Sequence, residues 1–501
     1  MSVCSRLPRF VLVLVLGLSS FTILRADVTP AGVYLNAADL LARDWRYADA
    51  FSLYAQAERI AEGAERLRAG LGVATSAIRL AEFDVAYAKA SQLRRAFPDD
   101  QHAMSVYGQA AWANGMFEEA DAAFRDALAR DPADPSSRLG LARLLAARNR
   151  LPEALDHVLA VIAAAPGEAD AYAVAGNVYR RMRQLDQAVA SLSRFYNMVP
   201  PREIDRRTWT RGEIAFLKAL GRRIPGEIAE GALATPLTIP IQVVNDKVIV
   251  TTRVNGRERL DFVVDTGAEQ TVLSEAAARR LGISGISHTI SAGVGEIGLR
   301  GLQTAVIDSL QIGPLMIRNV PCLIKSPPLE GMPGGESESF SPLALGLSTI
   351  LDYKRHQLVL ARTLEAEAGN AEMPLWFSRL ATVRGVINGN RPASFIVDTG
   401  GEVVSISLDT ARALSPQPTG RRIPLQVFGT SGWDRDAFLL PGVTLTFDDL
   451  AMKNASVVVL NLRAPSVLLG YRVGGTVGHR FLSKYRVSFD LQRSVLGLAM
   501  N

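Results

Sequence analysis

The sequence predicts a multidomain protein in which an all-α solenoid of helical repeats is followed by an all-β, two-lobed half. Three observations lead to this fold class. Prolines recur every 34 residues in the first half, apolar and polar residues alternate in the second half, and one apolar pattern is written twice, as DFVVDTG at 261–267 and SFIVDTG at 394–400. At 501 residues the chain is too long for one core, and about three domains are expected.

The first residues are typical of an export signal. Arg6 and Arg9 precede the apolar stretch VLVLVLGLSSFTIL, which has signal-peptide length and is short for a membrane span. We expect residues 1–26 to be a signal peptide cleaved after Ser19 or Ala26, although Leu24 stands where a small residue is usual. An uncleaved amino-terminal anchor is the alternative. The protein is therefore expected to be exported, and periplasmic or anchored facing the periplasm in a bacterium, with no other membrane contact.

Composition excludes several classes of function. The net charge of +5 is spread over the whole chain without a run of five like charges, which argues against nucleic acid as a partner. Beyond the signal only Cys322 remains, in the apolar context NVPCLI, so we expect no internal disulfide and a buried thiol. The five histidines are scattered, and no residue cluster indicates a metal or an organic cofactor.

The helical part is predicted from a repeat. Its period is set by four prolines that each close an alanine-rich segment: Pro98, Pro132, Pro166 and Pro200. One unit carries small and aromatic residues at fixed places, namely Met104, Tyr107, Gly108, Ala111, Ala120, Phe124 and Ala127. Small Gly108 and Ala120 would let the two helices of a unit approach closely, while Tyr107 and Phe124 would fill the space between units.

This pattern resembles the tetratricopeptide repeat family. We expect a domain over residues 31–222 with about five repeats and a closing cap helix over Thr208 to Leu220. The resemblance implies a concave groove that holds a protein partner. A plain packing or spacer role is the alternative, and no single groove residue can be nominated.

After residue 231 the pattern becomes β-like. Short alternating runs such as KVIVTTRV and TAVIDSLQI are separated by Gly, Asn and Asp turns, and the plan is repeated from LATVRGVINGN onward. We expect lobe 1 over 233–361 and lobe 2 over 375–501. The polar segment 362–374 is interpreted as the joint, and 325–342 as an inserted loop of lobe 1.

The two Asp-Thr-Gly motifs have matched surroundings. An Asn-Gly turn and an apolar strand precede each, in VNGRERLDFVVDTG and INGNRPASFIVDTG, whereas chance would produce the tripeptide about 0.1 times in such a chain. A glycine-rich hairpin follows, with Gly293 28 residues beyond Asp265 and Gly429 31 beyond Asp398. Gly346 and Gly478 then lie 81 and 80 residues after their acids. Duplication explains this repetition.

These residues resemble the retropepsin-like aspartic proteases over roughly 235–501. The resemblance implies two small β barrels in one chain, a pepsin-like pseudo-dimer, with Asp265 and Asp398 as catalytic residues acting on a peptide or protein substrate. Two carboxylates about 3 Å apart cannot both ionise, so the two acids share one proton. The ionised acid can then activate a water as a general base. That chemistry explains why the motif must occur twice.

The resemblance also implies supporting roles for other positions. Thr266 and Thr399 would form a hydrogen-bonded grip between the lobes, and Gly267 and Gly400 would bring backbone N–H groups to the carboxylates. Flaps that close over the substrate would carry Gly293, Gly295, Gly429 and Trp433. Trp433 would either cover a substrate side chain or pack under its flap.

Two departures from the family pattern weaken the assignment. Gly401 follows the second motif where Ala268 follows the first, which would loosen that turn. Six residues separate Gly346 from Asp352, against twelve between Gly478 and Asp490, which predicts that lobe 1 has lost most of a supporting helix. The alternative function is therefore a binding or scaffold protein that keeps the fold without useful turnover.

Overall fold

The computed structural model of the protein describes residues 29–295, 299–325, 338–366, 371–414, 421–429 and 431–500. The predicted fold class is confirmed, because helices occupy the first part of this range and strands dominate the rest. The expected signal peptide lies outside the described residues. None of the helices within these ranges is long and apolar enough to cross a membrane.

The helices of the first part form consecutive antiparallel pairs followed by a final helix. They are α1 (Pro30–Arg43), α2 (Tyr47–Ile60), α3 (Gly63–Arg79), α4 (Phe83–Ala96), α5 (Gln101–Ala113), α6 (Phe117–Arg130), α7 (Pro135–Ala147), α8 (Leu151–Ala164), α9 (Ala169–Arg181), α10 (Leu185–Met198) and α11 (Ile204–Leu220). Each pair is joined by a tight turn with one left-handed residue, at Trp45, Ala81, Gly115, Asn149 and Arg183. From Ala81 onward these turns recur with the period of the prolines.

The small residues of the repeat act as the sequence predicts. A methyl group on Gly108 would lie 2.7 Å from the ring of Phe124, so α5 can approach α6 this closely only with glycine there. Phe124 is 1% exposed and Ala120 is fully buried. In this pair, α5 and α6 are therefore held together by the ring of Phe124, which packs on the backbone of Gly108.

The two ends of the solenoid meet. Trp45, in the first turn, packs against a buried cluster of Ala169, Phe195 and Val199 near the end of the stack, and Asp44 pairs with Arg202 at 3.2 Å. Inside the stack, the buried carboxylate of Asp170 on α9 binds Arg79 of α3 at 2.6 Å and Arg143 of α7 at 2.8 Å. First helices of distant repeats are thus linked across the inner face.

The β half contains two barrel-like sheets and a sheet that joins them. Its strands are β1 (Glu227–Ile228), β2 (Leu237–Pro240), β3 (Gln242–Val244), β4 (Lys247–Val254), β5 (Glu258–Val264), β6 (Thr271–Ser274), β7 (Ser287–Ala292), β8 (Leu299–Ile312), β9 (Leu315–Lys325), β10 (Glu338–Phe340), β11 (Ser348–Asp352), β12 (Gln357–Ala361), β13 (Ala371–Pro374), β14 (Trp376–Phe377), β15 (Ala381–Ile387), β16 (Arg391–Val397), β17 (Ser405–Ser407), β18 (Ile423–Pro424), β19 (Val427–Gly429), β20 (Gly432–Asp434), β21 (Phe438–Phe447), β22 (Leu450–Leu460), β23 (Gly475–Val477), β24 (Tyr485–Asp490) and β25 (Val495–Met500). Short helices interrupt them: α12 (Glu275–Leu281), α13 (Leu408–Arg412), α14 (Arg463–Leu469), α15 (His479–Leu482) and a single 3₁₀ turn, Leu343–Leu345.

Lobe 1 has the order β1-β9-β6-β10-β5-β4-β8-β7 with β3 beside β4, and lobe 2 has the order β14-β15-β16-β23-β17-β22-β21-β18. A six-stranded sheet, β13-β25-β24-β11-β12-β2, connects the lobes through the antiparallel pair β11 and β24. In both lobes the strand before Asp-Thr-Gly is central and its apolar end is buried, as at Phe262 and Phe395.

Part of the expected loop structure is wrong. Residues 338–340, assigned to the inserted loop, form β10, which lies between β5 and β6. Residues 371–374, assigned to the joint, form β13 at the edge of the connecting sheet. Segments as short as ESF and AEMP carry too little periodicity to be identified as strands from the sequence. They become strands because they pair with neighbouring strands in the folded sheet. The rest of the insertion, 326–337, lies outside the described residues.

The supposed loss of a helix in lobe 1 is also corrected. The Phe340 carbonyl accepts from the Asp265 N–H at 2.9 Å, and the Val477 carbonyl accepts from the Asp398 N–H at 3.0 Å, so Phe340 and Val477 occupy equivalent places. Because Ser341 and Gly478 are the next residues, Ser341, and not Gly346, corresponds to Gly478. The connection to the next strand-ending acid is then eleven residues from Ser341 and twelve from Gly478. In lobe 1 it is wound as the 3₁₀ turn and in lobe 2 as α15.

The helical repeats pack directly on lobe 2. Phe117 of α6 makes edge contact with the ring of Tyr471 at 5.1 Å and a tilted contact with Trp376 at 5.2 Å. Asn149, in the fourth turn, donates to the Leu491 carbonyl at 3.0 Å. These contacts make one continuous apolar cluster from both parts, so the solenoid has a defined position relative to the lobes.

Candidate active site

Two buried carboxylates meet at the boundary between the lobes. Asp265 follows β5 and Asp398 follows β16, and their carboxylates lie close enough for the charge of Asp398 to act on Asp265. A methyl group on Gly400 would lie 2.5 Å from Cγ of Asp265, and one on Gly267 would overlap the carboxylate of Asp398. Each glycine of one lobe therefore supports the acid of the other lobe, and no larger residue fits there.

Backbone N–H groups hold both carboxylates in place. Gly267 donates to Asp265 at 2.9 Å, and Gly400 and Gly401 donate to Asp398 at 3.0 and 2.8 Å. The Ala268 N–H also contacts Asp265. Gly401 thus plays in lobe 2 the part that Ala268 plays in lobe 1, and the loosened turn expected at Gly401 stays a prediction.

The electrostatics favour a shared proton. Burial and the negative charge of Asp398 together raise the pKa of Asp265 to about 7, against the opposing effects of the Gly267 N–H and Lys247. Burial raises the pKa of Asp398 as well, although the Gly401 N–H and Lys247 oppose it. The pair can therefore share one proton in the weakly acidic range.

The two threonines clasp each other across the boundary between the lobes. Thr266 donates its hydroxyl to the Val397 carbonyl at 2.6 Å and accepts from the Thr399 N–H at 3.1 Å. Thr399 repeats this pattern, with the Val264 carbonyl at 2.7 Å and the Thr266 N–H at 3.1 Å. All of these groups are buried, so the separation of the two acids is set by four hydrogen bonds.

Charged residues that the sequence reasoning missed flank this clasp. Glu269 and Glu402 each stand four residues after their acid, and each pairs with a basic residue of the other lobe. Arg379 binds Glu269 at 2.5 Å, while Lys247 lies 3.8 Å from Glu402 and donates to the Gly400 carbonyl. The recurrence of Glu at the same offset was the available signal, but their partners could be found only in three dimensions.

The loop of lobe 1 also has a support of its own. The Ser341 hydroxyl donates to the Ala268 carbonyl at 2.7 Å, and in lobe 2 the His479 N–H donates to the Gly401 carbonyl at 2.8 Å. Nothing in the sequence distinguished Ser341 from any other serine. The side chain of Ser341 therefore makes in lobe 1 the contact that the backbone of His479 makes in lobe 2.

Two hairpins contact each other: flap 1, formed by β7 and β8, and flap 2, formed by β19 and β20. The Gly293 N–H donates to the Ser431 hydroxyl at 3.1 Å, and the Ser431 N–H donates to the Val294 carbonyl at 3.0 Å. Gly295 and Gly429 lie where the backbones touch, with φ at Gly295 of 137°. Glycine is required at this close approach.

Trp433 lies on flap 2. Its ring packs against Phe428, the residue opposite it in the hairpin, with centroids 5.4 Å apart. The tip residues 296–298 of flap 1 and Thr430 of flap 2 lie outside the described residues. Within the described ranges, no group of three or more His, Cys, Asp or Glu side chains is placed to hold a metal ion.

Comparisons with known families agree with these observations. A family described as "gag-polyprotein putative aspartyl protease" matches residues 250–333, and one described as "Aspartyl protease" matches 383–473. A tetratricopeptide repeat family matches 72–135 and 108–169. A search among curated proteins finds no match.

Solved structures are similar to one part of the chain or the other. An aspartic proteinase from Irpex lacteus is 12% identical, with a TM-score of 0.33, over 53% of this chain and 98% of that one. A thermophilic tetratricopeptide-repeat protein of Thermus thermophilus is 18% identical, with a TM-score of 0.32, over 38% of this chain and all of that one. A tetratricopeptide repeat protein from Parabacteroides merdae is 18% identical, with a TM-score of 0.29, over 39% and 74%.

Proposed function

Since this chain combines tetratricopeptide repeats with two aspartyl protease-like domains, we propose that it is an exported aspartic endopeptidase, which in a bacterium would be periplasmic or anchored facing the periplasm. The juxtaposition of the buried carboxylates of Asp265 and Asp398, each packed against the glycine of the other lobe, is the observation that carries the proposal. The raised pKa values of the pair support a state with one proton, which is the state that peptide hydrolysis by two carboxylates requires.

The proposed reaction adds water across one peptide bond. Ionised Asp398 removes a proton from a water as its oxygen attacks the carbonyl carbon, and protonated Asp265 gives its proton to the carbonyl oxygen. The resulting diol then collapses, Asp398 passes its proton to the leaving nitrogen, and Asp265 recovers a proton from the diol hydroxyl. The products are a carboxylic acid and an amine, and both carboxyl groups return to their starting states.

The flaps would close over an extended peptide. Flap 1 and flap 2 are joined in this structure by Gly293, Val294 and Ser431, so they must separate before a substrate enters. Gly293, Gly295 and Gly429 then offer backbone groups to the peptide, and Trp433 with Phe428 forms an aromatic surface for a substrate side chain.

The experiment compares cleavage of a denatured protein mixture by the full chain and by Asp265→Asn, Asp398→Asn and Asp449→Asn between pH 3 and pH 8. Asp449 makes a matched control because the same change falls on an exposed turn. Cleavage should fall at least about 100-fold in the first two variants only, and a statine-type inhibitor should block the wild type. Folded wild-type protein that cleaves at no pH, or cleavage retained in both active-site variants, would overturn the proposal.

One observation favours the second candidate, a binding or scaffold protein. The two flaps are hydrogen-bonded to each other, an arrangement that a substrate would have to open. In this case the helical repeats would supply the function by binding a protein partner, and the lobes would serve as a platform. A folded wild type without cleavage that binds the statine-type inhibitor weakly or not at all would favour this candidate.

The proposed role of the repeats is to recruit or orient a protein substrate. Tetratricopeptide repeats suggest interaction with proteins, and the solenoid is held in a defined position on lobe 2. A protein substrate should therefore be cleaved with a higher kcat/KM than a short peptide containing the same bond. Equal values for the two substrates would remove this part of the proposal.

A further inference from the structure

Helix α11, the last helix of the solenoid, lies against the base of flap 1. The Ser287 hydroxyl donates to the Gly212 carbonyl at 2.8 Å. The His288 carbonyl oxygen is so close to Gly212 that a methyl group there would overlap it. Ser287 and His288 open β7, the strand that runs into Gly293, so the arm of the flap rests on the helix.

An apolar contact reinforces this position. Ile286, just before β7, and Val306, on β8, pack against a buried cluster that contains Phe216 and Leu217 of α11. Both strands of flap 1 therefore have their lower ends anchored in the helical domain. A shift of α11 would move both arms of the hairpin together, because packed side chains cannot slide freely past one another.

The same helix also reaches the catalytic loop of lobe 1. The guanidinium group of Arg379 lies 5.7 Å from the ring centre of Trp209, one turn before Gly212. Arg379 is also the residue that binds Glu269 at 2.5 Å, four positions after Asp265. Trp209 thus covers the face of an ion pair that joins the two lobes beside the acids.

We propose that α11 is a positioning element of the hydrolytic site, which sets flap 1 through Gly212 and the Arg379–Glu269 pair through Trp209. This proposal rests on the proposed function. In this proposal the last helix of the repeats closes the stack and also positions parts of the hydrolytic site. Substrate binding by flap 1 then depends on the position of α11, which lies outside both lobes.

The test uses the full chain with Gly212→Ala, Trp209→Ala and the conservative Trp209→Phe. Gly167→Ala is the control, because a methyl group at that exposed glycine of the same domain meets nothing within 4 Å. KM for a peptide substrate is expected to rise about tenfold in Gly212→Ala and Trp209→Ala, and to stay near the wild-type value in Trp209→Phe and the control. The concentration of competent sites is measured by titration with a statine-type inhibitor.

A merely structural role gives a different result. Partial unfolding lowers the number of titratable sites and leaves KM unchanged, whereas misplacement of the flap raises KM at a full site count. If Gly212→Ala does not fold, Trp209→Ala decides the same question. KM within twofold of the wild type in the variants that fold would overturn the proposal.

A second measurement is independent of turnover. The Gly293 and Ser431 amides, which bond the two flaps together, should exchange hydrogen faster in Gly212→Ala and Trp209→Ala than in Gly167→Ala. If the wild type cleaves nothing but this exchange responds, the endopeptidase function fails while the positioning role of α11 stands. Unchanged exchange in both variants overturns the positioning role itself.

Discussion

Thr266 and Thr399, 133 residues apart, each accept a hydrogen bond from the backbone N–H of the other at 3.1 Å. Each hydroxyl also donates to a carbonyl of the opposite lobe. The two lobes are thereby joined by the residues next to the acids. A change in these hydrogen bonds is therefore expected to change the relative position of the two carboxylates.

Thr399→Val should destabilise the contact between the lobes. Valine has nearly the same shape but leaves the Val264 carbonyl and the Thr266 N–H buried without partners, at a cost of about 1–3 kcal/mol for each group. Urea unfolding measures this loss, and Thr399→Ser is the control, because its hydroxyl keeps both bonds. A valine variant as stable as the serine variant would contradict the role of the clasp.

Activity should decline as the pH rises through neutrality. The pKa of Asp265 is raised to about 7, first by burial and then by the charge of Asp398, so the proton needed on this acid is lost above that pH. The pH profile of kcat/KM is the measurement. A profile that stays flat to pH 9 would contradict the assignment of the proton to this pair.

The same pKa has a consequence for stability. The pKa of Asp265 is higher in the folded chain than the unfolded value of about 3.9, so the folded state holds this proton more tightly. The resulting contribution to the free energy of unfolding is fully present at low pH and is lost as the pH rises toward 7. Asp265→Asn should therefore flatten the decrease in the free energy of unfolding between pH 4 and pH 7. Denaturant titrations at several pH values compare it with Asp449→Asn, which should leave the slope unchanged.

Lys247→Met should move the acidic limb of the activity profile to higher pH. The ammonium group of Lys247 lowers the pKa of both acids, so its loss makes the ionised partner easier to protonate. Lys247→Arg should keep the wild-type limb, and Lys453→Met removes the same charge from an exposed site of lobe 2. Equal acidic limbs in the two methionine variants would show that Lys247 has no such influence.

Asp170→Asn should weaken the helical domain. Burial alone would raise the pKa of Asp170, but Arg79 and Arg143 overcome this effect and hold it below its usual range, so the carboxylate is ionised at neutral pH. Its stabilisation is lost only as the pH falls below the ordinary Asp range. Removing the charge leaves two partly buried arginines unpaired, a loss of about 3 kcal/mol.

Thermal or urea unfolding at pH 7 compares Asp170→Asn with Asp126→Asn. Asp126 is half exposed and pairs with Arg130 at 3.3 Å within one helix, so its loss should cost less than about 0.5 kcal/mol. Similar losses in both variants would show that the contact across the inner face adds no stability. The pairing of first helices from distant repeats would then be incidental.

The sequence alone determined the division of the chain, the helical repeats and the identity of the two acids, because these features are written in local periodicity and in a duplicated motif. The 34-residue spacing of prolines, the strand before each Asp-Thr-Gly, and the glycines beside Phe124 and the acids need no distant residue to be recognised. The assigned roles of the site residues stay predictions until activity is measured.

Only the tertiary structure decided the features that join distant segments. The strand character of 338–340, the support of Ala268 by Ser341, the pairing of Arg379 with Glu269, and the seating of Gly212 on β7 all arise between residues far apart along the chain. The energy of such contacts depends on which surfaces the fold brings together and not on local propensity. A serine, a glycine or an arginine shows no sign of these roles until its partner is in place.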